Sequence, residues 1–218
     1  MTYTLSEALN LSILIAGLIA LFRFRKMDPA YLPLILLIWI AGLNELLSLI
    51  LISYNYYIIT VNNNIYVLLE SLLILWFFKR LKIALNNITI FSLLIFSFLL
   101  VWSLENFVLG SIFTVSSWFR IFYSFIVVLL SINIINHLIV TQKNQIVKMP
   151  LFLICIGFVT YFTYKVLIEA FWLYGLNNSK NFRISVYSIL TYLNFLVNLL
   201  LALAVIWIPR KREYILLS

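Results

Sequence analysis

The chain of 218 residues consists of long apolar runs separated by short polar connections. A helix needs about 20 apolar residues to cross the hydrocarbon core of a bilayer. Because the runs are continuous and do not alternate in polarity, they predict helices and not the strands of a membrane β-barrel. We predict seven transmembrane helices, over residues 5–24, 31–54, 64–83, 87–106, 112–140, 150–174 and 184–208.

The connections between these runs are too short for a separate domain, so residues 1–218 are predicted to form a single seven-helix transmembrane domain. Asp28-Pro29 and Pro150 are typical of helix starts. The asparagine run 62–64 and the segment GLNNSKN at 175–181 predict turns. The basic sequence FRFRK follows the first apolar run, which favours a retained helix over a cleaved signal peptide.

Composition agrees with a membrane protein and excludes several chemistries. Charged residues are 10% of the chain, against about 25% in soluble domains, and the mean hydropathy is +1.11. Single Cys155 and single His137 argue against a CxxC motif and a multi-histidine metal site. A microbial rhodopsin carries its retinal lysine in the seventh helix, whereas Lys165 lies in the sixth predicted helix. We therefore expect no cofactor, no metal and no catalytic residue set.

The basic residues predict the orientation. If the N-terminus is outside, the inner connections and tail hold eleven basic residues and the outer connections hold two, Lys180 and Arg183. The positive-inside rule then places the N-terminus outside and the C-terminus in the cytoplasm. The net charge of +8 is thereby explained by contact with anionic lipid, and no nucleic-acid partner is expected. The inner residues are Arg23, Arg25, Lys26, Lys79, Arg80, Lys82, Lys143, Lys148, Arg210, Lys211 and Arg212.

Five ionisable residues lie well inside the predicted helices, away from their ends. A charge at the centre of the bilayer costs roughly 2.5–3.5 kcal/mol on insertion scales, so five of them require a reason. Counted along their helices, all five lie in the outer half, about 8–13 Å from the outer end. Polar stripes on several helices should turn inward, and we predict a polar cup open to the outside above an apolar plug. The candidate ligand- or ion-binding residues are Glu45, Glu70, Arg120, Lys165, Glu169, Asn44, Tyr66 and Asn194.

These charges have a purely structural explanation as well. Lys165 and Glu169 have the i,i+4 spacing of a helical ion pair, and Glu70 and Arg120 could pair between helices. Three carboxylates against two cations nevertheless leave one acid unpaired. That acid either carries a proton because of desolvation or meets a cation from outside.

Two stretches carry a resemblance to a known group of proteins. NNNIYVLLESLLILWFFKRLK, at 62–82, and NFRISVYSILTYLNFLVNLLLALAVIW, at 181–207, resemble segments of small seven-helix bacterial membrane proteins of unknown function. The resemblance covers about half of the chain and implies a multi-pass protein of the bacterial inner (cytoplasmic) membrane. It implies no activity.

Three classes of function are compatible with these features. We favour a receptor-like ligand-sensing or signalling subunit that acts through a separate cytoplasmic or membrane partner, because the nine residues after Pro209 cannot form an output domain. The alternative is a transporter of a small solute, ion or proton, which should show discontinuous helices. An intramembrane lipid-modifying enzyme is the least favoured class, since no nucleophile or metal set is recognisable.

Overall fold

A computed structural model of the protein describes residues 9–51, 56–141, 146–174 and 180–210. Within these ranges the chain is helical, apart from turns and one isolated backbone bridge between Met27 and Arg210. The helices are α1 (Ile13–Arg23), α2 (Leu32–Leu51), α3 (Tyr56–Leu81), α4 (Ile88–Ser103), α5 (Ser117–Thr141), α6 (Pro150–Tyr174) and α7 (Lys180–Trp207).

Six of these helices, α2 to α7, are long and apolar enough to cross a membrane. By length and composition the chain is therefore a multi-pass membrane protein, and the predicted all-α membrane architecture is confirmed at this level. Helix α1 has 11 residues, or about 17 Å, which is roughly half of the hydrocarbon thickness. Residues 9–10 before it are helical, and residues 5–8 of the predicted first span lie outside the described ranges. The seventh span stays a prediction.

The surface of the bundle is suited to lipid. Large apolar side chains are exposed along its length, including Phe22 at 84%, Leu109 at 81% and Val140 at 79%. Soluble monomers rarely expose contiguous apolar patches of this kind, because water cannot solvate them. Helix α4 contributes strongly to this surface, since it packs mainly on α3 and only lightly on α5.

One predicted turn, at 62–64, is wrong because its residues are helical, and the end of a second, at 175–181, is helical as well. Helix α3 begins at Tyr56 and runs through the asparagines of 62–64. These asparagines tolerate the helix because they have partners outside it: Asn62 Nδ2 donates to Asn44 Oδ1 at 2.7 Å, and the contacts of Asn64 are described below. Helix α7 begins at Lys180, so the end of the predicted 175–181 turn is helical, and 175–179 lie outside the described ranges.

The predicted start of the fifth helix also moves. Helix α5 begins at Ser117 and not at residue 112, because residues 111–116 form a connection held by side-chain contacts. Residues 52–54, the predicted end of the second helix, lie outside the described ranges.

Helices α5 and α6 form the most extensive helix pair and run antiparallel, since early residues of α5 contact late residues of α6. Ser117, Ser124 and Ser131 repeat every seven residues along α5 and are all buried. Small side chains at this spacing allow two membrane helices to approach closely. Helix α6 also packs on α7, and α1 packs against both α7 and α2.

One end of the bundle, called here the basic end, joins the start and the finish of the described chain. Arg23, at the end of α1, donates from Nη1 to the carbonyl of Ile206 and from Nη2 to that of Ile208 at 2.9 Å. The Asp28 amide donates to the carbonyl of Pro209 at 3.1 Å. A cation at a helix C-terminus satisfies the last carbonyls and the helix dipole, so Arg23 fixes α7 to α1.

A cluster of buried aromatic rings lies between the basic end and the middle of the bundle. Tyr31, Phe77, Phe78 and Phe158 have ring centroids 5.8–6.4 Å apart. Each of these side chains is less than a tenth exposed. We call this cluster the aromatic plug, and it corresponds to the apolar plug expected from the sequence.

Candidate functional site

The first buried ion pair joins α3 to α6. Lys165 Nζ lies 3.0 Å from Glu70 Oε2, and both residues are less than a tenth exposed. Tyr123 of α5 completes the contact, because its hydroxyl donates to Glu70 Oε2 at 2.5 Å and accepts from Lys165 Nζ at 2.5 Å. Tyr66 donates to the other carboxylate oxygen of Glu70 at 3.3 Å. Glu70 is thus held by three side chains from three helices.

Aromatic rings surround the Lys165 ammonium as well. Its Nζ lies 5.1 Å from the ring centroid of Tyr123, 5.4 Å from that of Tyr161 and 5.5 Å from that of Phe162. A cation over an aromatic face within about 6 Å is attracted by the ring quadrupole, most strongly where water is excluded. Carboxylate and rings together replace the water that the ammonium has lost.

The second ion pair joins α5 to α6. Arg120 Nη1 lies 3.2 Å from Glu169 Oε1, and Ser117 Oγ donates to Glu169 Oε2 at 2.6 Å. The pairings suggested by the sequence, Lys165 with Glu169 and Glu70 with Arg120, are therefore wrong. Each cation pairs with the other acid, since Glu70 and Lys165 meet across the helix interface whereas Glu169 meets the first turns of α5.

Of the three acids predicted to lie in the cup, Glu45 of α2 is the one that these pairs leave without a cation. Within the described ranges it forms neither an ion pair nor a hydrogen bond, and it is half-buried. Two cavities lie beside Glu45. Glu45 lines both of them, together with Tyr66 and Tyr161. The unpaired carboxylate therefore lies at the partition between two spaces.

The larger cavity, called the end chamber, has a volume of about 270 Å³. Its lining combines two kinds of side chain. Arg120, Lys165 and Glu169 are charged, whereas Ile168 and Trp172 are apolar or aromatic. The smaller cavity, the central chamber, has about 100 Å³ and reaches Phe158 of the aromatic plug. That volume accommodates about three water molecules. We call the two chambers together the polar cup.

The central chamber borders a tightened helical turn directly before α1, in which Ser12 keeps a right-handed helical backbone. Residues 9–10 are helical, but residues 11–12 form a turn in which the Ser12 amide donates to the Leu9 carbonyl at 3.2 Å. Asn198 of α7 donates to Ser12 Oγ at 2.9 Å, and Asn194 donates to Asn10 Oδ1 at 3.3 Å. Side chains of α7 thus satisfy the polar side chains of this turn.

All eight residues predicted from the sequence as site candidates line the polar cup. Glu45, Tyr66, Glu70 and Asn194 border the central chamber. The end chamber is bordered by Asn44, Glu45, Tyr66, Arg120, Lys165 and Glu169. Their role in binding stays a prediction, but the structure brings residues from five helices to two adjoining cavities.

Sequence reasoning missed Glu105, at the end of α4. Residues Leu104–Leu109 continue α4 as a π-helix, and Glu105 accepts hydrogen bonds from the amides of Trp118 at 2.9 Å and Phe119 at 2.6 Å. The carboxylate therefore caps the start of α5, where the helix dipole favours negative charge. No spacing in the sequence indicates that Glu105 caps α5, because the contact depends on how the π-helix turns the chain.

A buried amide network beside the cup was also missed. Asn64 Nδ2 donates to the carbonyls of Ile112 at 3.0 Å and Thr114 at 2.7 Å, and its Oδ1 accepts from the Ser116 amide at 3.3 Å. Asn106 joins it through a 3.2 Å contact. This network fixes the connection that leads into α5 and therefore the position of Arg120.

Metal ligation has no support in the described part of the chain, where no three His, Cys, Asp or Glu side chains gather. Fold and site together define a multi-pass helical membrane protein with a buried, charged and partly hollow polar cup. Comparisons of the chain with protein-family models, with curated proteins and with solved structures find no match. Its function is therefore argued from the geometry of the site.

Proposed function

We propose that the protein is a receptor-like membrane subunit that binds a small ligand in the polar cup and acts through a separate partner. One observation carries this proposal: Glu45, a carboxylate without an ion pair or hydrogen bond in the described ranges, lies in the wall shared by both chambers. An ionisable group inside a membrane is costly, and such groups are typically retained for function.

The surroundings of Glu45 support a binding role. The two ion pairs tie α3, α5 and α6 together, so the opposite wall of the cup is fixed before any ligand arrives. Preorganised walls lower the cost of ordering a site on binding. Glu45 is then the group of the cup whose charge is available to a ligand.

The direction of access follows from the aromatic plug. Phe77, Phe78 and Phe158 fill the bundle between the central chamber and the basic end, so ligand enters from the opposite end. The basic end presents exposed cations, among them Arg25, Lys26 and Lys148, to which a partner with an acidic surface would bind.

We further propose seven spans, with the N-terminus outside and the basic end at the cytoplasmic face of a bacterial inner membrane. Charge asymmetry supports this orientation. Thr114 and Asn86 are exposed at opposite ends of the bundle, so each can be replaced by cysteine in a Cys155→Ala background. A membrane-impermeant thiol reagent applied to intact cells should label the Thr114→Cys variant and not the Asn86→Cys variant. The reverse labelling would contradict the orientation.

Ligand-dependent stabilisation tests the function. Purified protein in nanodiscs is heated with a set of small cationic, neutral and anionic solutes, and unfolding is followed by tryptophan fluorescence. We expect at least one solute to raise Tm in the wild type and to have no effect on Glu45→Gln. Asp28→Asn, a carboxyl-to-amide change at the basic end, is the matched control and should respond like the wild type. If no solute raises Tm, or if Glu45→Gln responds equally, the proposal fails.

Transport is the second candidate, and the polar contacts between α7 and the turn at residues 11–12 favour it. Polar side chains inside membrane spans commonly mark substrate or ion pathways, and here Ser12 and Asn10 contact α7 at the central chamber. Proteoliposomes loaded with a solute that raises Tm distinguish the two functions. Uptake that disappears in Glu45→Gln favours transport, whereas binding without uptake favours the receptor.

A further inference from the structure

We infer that the ligand of the polar cup is a small organic amine, bound through its protonated ammonium group to Glu45. This inference rests on the proposed function and specifies the chemical class of the ligand. Charge balance is its first ground. Glu70 and Glu169 each have a cation partner and further hydrogen-bond donors, so Glu45 is the one acid lining the cup that the described residues leave without a cation. A bound cation would supply that partner, in place of the proton that otherwise neutralises a desolvated carboxylate.

The protein's own ammonium group shows how this cup accommodates such a cation. Lys165 Nζ has one carboxylate at 3.0 Å and three aromatic rings within 5.5 Å. Tyr161, one of those rings, also lines both chambers together with Tyr66 and Glu45. The space beside Glu45 thus offers the same combination of one carboxylate and aromatic side chains that binds Lys165.

This combination suits an organic ammonium better than a metal ion. A hard divalent cation takes six or more oxygen ligands, or several ordered waters, at short distances. Aromatic faces bind ammonium groups by cation–π attraction and provide no such oxygens. Over the described ranges no three acidic, histidine or cysteine side chains gather around a common point.

The volume of the end chamber limits the size of the ligand beyond its ammonium group. A cavity of about 150 Å³ holds benzene, so the end chamber, at about 270 Å³, accommodates roughly 10 non-hydrogen atoms. Its apolar wall, formed by Val67, Ile168, Trp172 and Leu190, would contact a hydrocarbon or aromatic body. The ammonium would then lie at the partition, near Glu45, and the body would point away from the aromatic plug.

Two sources supply a primary ammonium at a membrane: a free amine in the surrounding water, or the ethanolamine headgroup of a phospholipid. The recognition chemistry at Glu45 is the same for both. The headgroup would bring its phosphate with it, near Arg120 at the end chamber, whereas a free amine would not.

The test uses three probes of matched size: 2-phenylethylamine, 2-phenylethanol and phenylacetate. Full-length protein is reconstituted in nanodiscs of phosphatidylglycerol alone, which contain no amine, and binding is measured by calorimetry and by the rise in Tm. Because hydrogen bonds to charged groups contribute about 1.5–3 kcal/mol, we expect the amine to bind about ten- to a hundredfold more tightly than the alcohol. Phenylacetate should not bind, and Glu45→Gln should lose the preference for the amine.

Variants of Tyr161 keep the test decisive if Glu45→Gln does not fold. Tyr161→Phe retains the ring and should retain amine binding, whereas Tyr161→Leu should weaken it while leaving affinity for the alcohol unchanged. Asp28→Asn again serves as the control. Equal losses for amine and alcohol in Tyr161→Leu would contradict cation–π recognition and overturn the inference.

A second set of nanodiscs identifies the source of the amine. If the ligand is a headgroup, phosphatidylethanolamine should raise the Tm of the wild type but not of Glu45→Gln, and should compete with 2-phenylethylamine. If the ligand is a free amine, the lipid should do neither. Once the first test has shown a Glu45-dependent preference for the amine, this comparison assigns the ligand to one of the two sources.

Different experimental results would contradict the amine ligand and the proposed receptor function. Glu45-dependent binding of the alcohol, of phenylacetate or of sodium alone, with no preference for the amine, leaves a receptor but overturns the amine ligand. Absence of any solute that raises Tm overturns both.

Discussion

Replacement of Lys165 by methionine tests whether the first ion pair holds the cup together. Methionine keeps the length and the apolar stem of lysine but removes the ammonium. Glu70 then loses its cation, although Tyr123 and Tyr66 still donate to it. The variant leaves a carboxylate that is only 6% exposed without a compensating charge inside the membrane.

The contacts of Glu70 set the size of the effect. Removing one partner of a buried ion pair costs about 3–5 kcal/mol. The two tyrosine hydroxyls that remain each offset about 0.6 kcal/mol, the average for side-chain hydrogen bonds between membrane helices. We therefore expect Lys165→Met to lower the free energy of unfolding by about 3 kcal/mol. For a chain of this size that corresponds to a fall in Tm of about 6–12 °C.

The double variant Glu70→Gln/Lys165→Met is the informative control, because it removes both charges and leaves a neutral amide for the tyrosines. We expect it to recover about 2 kcal/mol of the loss, since replacing a whole buried pair is often close to neutral. Unfolding in mixed micelles of increasing SDS content, followed by tryptophan fluorescence, gives the coupling energy of the pair. Arg120→Met should cost less, because the Arg120 side chain is more exposed, at 15%, than that of Lys165, at 11%. A Lys165→Met variant within about 1 kcal/mol of the wild type, or a double variant whose loss equals the sum of the single losses, would refute the reasoning.

Three further predictions concern contacts away from the ion pairs. Asn64→Ala should lower the free energy of unfolding by about 2–3 kcal/mol, because two carbonyls and an amide of the connection before α5 lose their partner; Asn62→Ala, which breaks one contact, should cost less than half as much in the same SDS titration. Glu105→Ala should cost about 1 kcal/mol through loss of the α5 cap and should raise amide hydrogen exchange at Trp118, whereas unchanged exchange there would contradict the cap. Arg23→Ala should cost about 1 kcal/mol and increase proteolysis after α7, while Arg23→Lys should recover part of the loss; equal resistance in all three proteins would exclude the C-terminal cap.

The sequence predicted those parts of the fold that depend on the solvent. Continuous apolar runs of about 20 residues have one stable conformation in lipid, a helix, because lipid cannot satisfy a free backbone. The same constraint makes charged side chains turn inward. For this reason Glu45, Glu70, Arg120, Lys165 and Glu169 could be assigned to one cup without knowledge of the helix order.

The partners of these charges could not be predicted, because partner choice depends on helix rotation and register. The i,i+4 spacing of Lys165 and Glu169 favours a pair within α6, yet each side chain has a better partner on another helix. The turn predicted from the asparagine run at 62–64 was wrong for a related reason. Asn62 and Asn64 are typical of turns only while their amides have no tertiary partner, and both have one on another segment.

The ion pairs join three helices of the bundle, and Glu45 lies on a helix that is not one of them. Lys165 with Glu70, and Arg120 with Glu169, join α3, α5 and α6 into one frame. Helix α2 carries Glu45 but takes part in neither pair, and it meets the frame by packing on α3 and through the contact of Asn44 with Asn62. A cation bound between Glu45 and the aromatic side chains of the frame would therefore add the ionic contact that α2 lacks. Helix α2 then leads to the basic end, where the Asp28 amide at its entry bonds to the carbonyl of Pro209 beyond α7. Helix α2 thus joins the cup to the basic end, and a ligand that favours one position of this helix would shift the arrangement of the basic end as well.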